Sequence, residues 1–137
     1  MTSPTTQAAE GGSTTDDVVV ITTPAAAQYV GVVRMTAAGL TSRLGVTLDT
    51  VEDLKLAVDE AASLALDRAV ANSVLTVTFK VSPTSLHVTV EVPGSKAPDQ
   101  ESYAWGVLNA LTEDAECRWE QGQVRVSFTI SIDPSNS

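Results

Sequence analysis

The chain has 137 residues, enough for one domain with an apolar core and too few for two. Seventeen acidic against eight basic side chains leave a net charge of −9, which repels a phosphate backbone and argues against direct nucleic-acid binding. A single cysteine, Cys117, excludes an internal disulfide, and one histidine, His87, with no Cys/His cluster gives no metal-ligand spacing.

Met1 to Asp17 is Thr, Ser, Gly and Ala without periodicity, and reads as a flexible tail with neither the basic start nor the apolar run of a secretory signal. No later stretch is long enough to span a bilayer, so a reducing cytoplasm is the expected location. Folding is expected to begin at Val18. Val18 to Ile21 reads as a strand, followed by a helix start with Thr23 as cap and Pro24 at its first position. Val30, Val33, Ala37, Leu40 and Leu44 then recur at three- and four-residue steps, the buried stripe of a first helix that Gly45 can end. Arg34 falls off that stripe.

A second helix is expected from Thr47 or Asp49, with Glu52 and Asp53 near its positive end and Val51, Leu54, Val58, Ala61 and Ala65 buried. Glu60 lies at the edge of that stripe, next to Asp59. The period then changes to two. Leu75, Val77, Phe79 and Val81 alternate with polar residues, Ser82 to Ser85 turn, and Leu86, Val88, Val90 and Val92 alternate with His87, Thr89 and Glu91. Pro93, Gly94 and Pro98 end this hairpin. A short helix from Asp99 or Ser102 puts Ala104, Trp105, Leu108 and Leu111 inward. A last hairpin carries Cys117 and Trp119, a turn at Gln121-Gly122, and Val124, Val126, Phe128, Ile130 and Ile132. Asp133 to Ser137 reads as a frayed end. The expected fold is an α+β two-layer α/β sandwich, a largely antiparallel sheet with all helices on one face. Aromatics make up only 4% of the chain, so Val, Leu, Ile and Ala must build the core.

The run Asp53-Leu-Lys-Leu-Ala-Val-Asp-Glu60-Ala-Ala-Ser-Leu64, placed after Leu40 and Leu44, resembles the helix of RsbW/SpoIIAB-type bacterial anti-sigma factors, of the GHKL ATPase group. The resemblance covers about Val18 to Ile132. It implies a GHKL-like fold in which the helix glutamate is the base for phosphoryl transfer and an asparagine one turn later binds the magnesium of ATP. Here Glu60 is kept and Leu64 stands at the metal position, offering no oxygen ligand. Val92 stands where the resemblance implies an aspartate for adenine, Gly94 alone remains of two glycines, and Tyr103 and Trp105 crowd the phosphate-binding helix start. Only Ser95 to Glu101 is left for the ATP lid.

The expectation drawn from these departures is a degenerate kinase-like fold that is not an enzyme, with Glu60 a vestigial base and no cofactor or metal. Glu60, Leu64, Val92, Gly94 and Tyr103 would outline a vestigial pocket. Arg34 matches by position an arginine that the family uses to contact its protein partners. By resemblance, the chain would sequester a stress or development sigma factor of RNA polymerase, be relieved by a STAS-domain anti-anti-sigma protein, and form a homodimer through sheet edges and the first helix. The alternatives are an ATP-dependent serine kinase acting on the anti-anti-sigma partner with Glu60 as base, and a binder tuned by another small ligand in the vacated pocket. His87 reads as a sheet-surface residue, Trp105 and Trp119 as core or edge anchors or, alternatively, as the lining of a remodelled pocket, and Cys117 as buried and inert.

Overall fold

The computed structural model describes residues 17–132. The segments expected to be a flexible tail and a frayed end lie outside the described residues, except for Asp17, which opens the first strand.

The first strand, β1 (Asp17–Pro24), runs further than its apolar run suggested. Thr23 and Pro24 pair with Leu75 and Val74, and the Ala25 N–H continues the ladder to the Ser73 carbonyl. They do not open a helix. Pro24 is tolerated because β1 is an edge strand, where a missing N–H leaves no neighbour unsatisfied. A 3₁₀ turn (Ala27–Tyr29) then leads into α1 (Val30–Ser42), in which Val33, Ala37 and Thr41 are buried; Leu40, and Leu44 just beyond the helix, pack at the core's margin. Thr41 was not anticipated in the core. Its hydroxyl donates to the Ala37 carbonyl one turn back at 3.0 Å, which satisfies the group without water.

α2 (Leu48–Leu66) starts where the sequence places it, because Thr47 caps it: the hydroxyl accepts from the Thr50 N–H at 3.2 Å. It is the most deeply buried helix, with Leu54, Ala57, Val58, Ala61, Ala62, Leu64 and Ala65 inside. Five of those seven residues are Ala or Val, short side chains that let the helix lie close to the sheet. The hairpin β2 (Val74–Val81) and β3 (Ser85–Pro93) follows, then α3 (Tyr103–Leu111), capped by Ser102 and burying Leu108. The last hairpin is β4 (Glu113–Glu120) and β5 (Gln123–Ser131). Its turn uses Gln121 and Gly122, both at positive φ, the pairing a tight right-twisted hairpin requires.

The sheet is antiparallel throughout, in the order β1-β2-β3-β5-β4. The swap of the last two strands has a chemical reason. β5 alternates Val124, Val126, Phe128 and Ile130 and needs neighbours on both sides, whereas β4 carries Glu113, Asp114, Glu116, Arg118 and Glu120. A charged strand with a bulge between Glu113 and Glu116 suits the edge, where it discourages pairing with another chain. The helices cover one face. On the other stand Val18, Val20, Thr22, Thr76, Thr78, Thr89, His87 and Thr129, with Glu91 joined to Arg125 across β3 and β5 at 2.7 Å. The fold is thus α+β in two layers, as the periodicities imply.

Candidate functional site

Two places carry chemistry. The first is where α1 faces α2. Arg34 leaves the buried stripe of α1, and its Nη1 donates to Asp59 Oδ1 at 2.9 Å, with both side chains 36% exposed. Its charge is thus paired at the surface. Val32 and Met35 on the same helix are 53% and 70% exposed, and with Gln28, Gly31, Arg34 and Thr36 they line a hollow of about 620 Å³. Glu60, next to Asp59, is half-buried, and its carboxyl is raised above the usual carboxylate range, first by desolvation and second by the neighbouring Asp59 charge.

The second place is the segment after β3. Gly94 forms a bridge to Ala69 and donates its N–H to the Gly122 carbonyl, while its own carbonyl accepts from the Trp119 indole at 3.1 Å. A Cβ at position 94 would overlap Val124 and stand 2.9 Å from the Arg68 carbonyl. Arg68 also receives the Ser95 N–H and donates Nε to the Ala97 carbonyl at 2.9 Å, and Pro98 is buried. Gly94 is needed for close approach of three pieces of this chain's own backbone.

These facts bear on the ATP and magnesium that the resemblance implies. Leu64 is 4% exposed and Val92 fully buried, both within the core cluster, so the positions for metal and adenine contacts present packed carbon atoms. Among the described residues, no group of three acidic, His or Cys side chains is placed to hold a metal. Neither the Leu64 nor the Val92 side chain supplies an oxygen ligand or a hydrogen-bond acceptor at those two positions. Of the five residues of the expected pocket, Leu64 and Val92 lie in the core, Gly94 is packed against Val124 and the Arg68 carbonyl, Glu60 is half-buried, and Tyr103 is 83% exposed. Glu60 and Arg34 instead share the neighbourhood of Asp59.

Asp59 was not singled out from the sequence, because its partner is distant in sequence and no local pattern signals the pairing. Trp119 was read as an anchor, and its indole tie to Gly94 gives that reading a partner; Arg68 was not singled out. His87 does sit on the open sheet face, its Nδ1 2.8 Å from Thr129 Oγ1. Cys117 is only partly buried, at β4 on the core face, where burial pushes its thiol up to about 11. No helix among the described residues is long and apolar enough to cross a membrane.

No family model matches the chain. It is 40% identical over 70 residues to Serine-protein kinase RsbW of Bacillus subtilis, covering 49% of this chain and 44% of that one. To the protein of the same name from Bacillus velezensis it is 52% identical over 42 residues, 31% of this chain and 26% of that one. The chain thus spans less than half the length of these curated relatives. The fold matches a crystal structure of the RsbU and RsbW domains of a Mycobacterium tuberculosis protein with a TM-score of 0.68, at 16% identity, over 84% of this chain and 33% of that one. The resemblance read from the second helix is borne out. The expectation that the chain is not an enzyme is overturned, because these relatives are named as serine-protein kinases.

Proposed function

From a chain that resembles the RsbW-type proteins in sequence and shares their fold, we propose an anti-sigma factor of the partner-switching type. It binds a sigma factor of RNA polymerase directly, and a STAS-domain anti-anti-sigma protein releases that factor by competing for an overlapping surface. The observation that carries this reading is the outer face of α1, where Arg34 stands among the exposed Val32 and Met35. Arginine beside exposed apolar side chains is the composition of an interface anchor, since it combines a charge-assisted hydrogen bond with area to bury. A homodimer, with β1 and α1 as contacts, belongs to the same reading.

A pull-down with the full chain as bait, read by mass spectrometry, tests it. A sigma factor and a STAS protein are expected among the captured proteins, and both are expected to be lost with Arg34→Ala. Capture without any sigma factor would refute the assignment.

The kinase reading is supported by the name the relatives carry and by Glu60, whose carboxyl is raised by burial and by the neighbouring Asp59 charge, the direction that strengthens it as a proton acceptor. It is tested by incubating the chain with the captured STAS protein, ATP and magnesium. A phosphoserine on that protein, lost with Glu60→Gln, establishes the activity and this residue's part in it. An unmodified STAS protein counts against both.

A further inference from the structure

The Arg34 guanidinium is held back. It lies over Gly31, where a Cβ would stand 3.4 Å from Nη2, and it reaches across to α2 to meet Asp59. Asp59 is therefore a carboxylate already seated on the charge that would attract a partner. The hollow around Arg34, with Val32 and Met35 exposed, suits one kind of occupant: a protein segment presenting a carboxylate between apolar side chains. Two carboxylates on one guanidinium repel each other, and the adjacent Glu60 and the overall charge of −9 add to that repulsion. The resident pair is exposed to water and so contributes little to stability, which leaves it open to exchange.

We propose that Asp59 sets the strength of the α1 grip, as a resident carboxylate that the acidic group of the docking protein displaces from Arg34. The inference rests on the reading of α1 as the docking face. Asp59 acts through Arg34 and needs no contact with the partner. It makes the bound and free forms of this surface differ in which carboxylate Arg34 holds.

The test is surface plasmon resonance with the sigma factor recovered in the pull-down, against the full chain as wild type, Arg34→Ala, Asp59→Asn and the double variant. Asparagine keeps the shape of aspartate and an acceptor for Arg34, and melting curves check that folding is unchanged. Arg34→Ala is expected to weaken binding about tenfold or more, and Asp59→Asn to tighten it about three- to tenfold at low salt, with the gain shrinking as salt rises. In the Arg34→Ala background the gain is expected to vanish. Unchanged or weaker binding by Asp59→Asn overturns the proposal, and so does an equal gain in the double variant, which reports overall charge alone. In either of those cases α1 still stands as the docking face. Full binding by Arg34→Ala, or a chain that recovers no sigma factor, removes the docking reading and this inference with it.

Discussion

Gly94 was singled out as the remnant of a nucleotide-binding motif, and the structure gives it a different duty. Its missing side chain admits Val124 and the Arg68 carbonyl, so Gly94→Ala must push β5 or the end of α2 aside. A loss of about 1–3 kcal/mol is expected in chemical denaturation, the usual range for forcing a methyl group into a filled space. Cys117 makes a second prediction at this scale. Its thiol is raised from 9.0 to about 11, so the folded chain holds the proton more tightly than the unfolded one. Stability from this group is intact below pH 9 and falls as pH rises towards 11. Cys117→Ala is expected to flatten that alkaline decline, and a thiol reagent at neutral pH is expected to label the native chain slowly and the unfolded chain fast. For Glu60 the sign is the same. Its carboxyl is raised, so its share of stability is present in acid and is lost as pH climbs through the carboxylate range to the raised value. Glu60→Gln should therefore melt slightly higher than wild type near neutrality, and the difference should close in acid.

At the scale of elements, α2 ties the two layers together. It packs against α1, α3 and the inner strands, and Leu54 at its first buried turn is fully enclosed. Leu54→Ala is expected to cost about 2–5 kcal/mol, measured by the shift in the denaturation midpoint. The stripe of α2, its Thr47 cap and the alternation of β2, β3 and β5 were legible because each depends on neighbours within one turn or one strand. The end of β1 was not. A proline after two threonines suits a helix start equally well, and only pairing with β2, some fifty residues later in the chain, decides for strand. The same limit applies to the interior of α3. Of its four residues expected inside, only Leu108 is fully buried, since a short helix at the rim of a sheet leaves its flanks in water.

On the scale of the whole molecule, one face of the sheet is sheltered by helices and the other presents threonines and the exposed Val18 and Val20 along an unpaired edge. Such an edge is where a second copy would pair. Light scattering of the purified chain is expected to return twice the chain's mass, and Val20→Lys is expected to shift it towards the single-chain value. A single-chain mass for the wild type at all concentrations would remove the homodimer from the reading.

Periodicity and composition alone determined that this chain forms a helix-covered antiparallel sheet, since burying a two-residue stripe against three- and four-residue stripes admits few other arrangements. The family resemblance also singled out Arg34 and Glu60. Three matters required the folded molecule: that β5 sits inside and β4 at the edge, that Gly94 sits where the end of β3 meets the segment after α2 and the β4–β5 turn, and that Arg34 is already engaged by Asp59. Each joins residues far apart along the chain. Their proximity is set by how the helices and strands pack, a property of the assembled layers that no local spacing encodes.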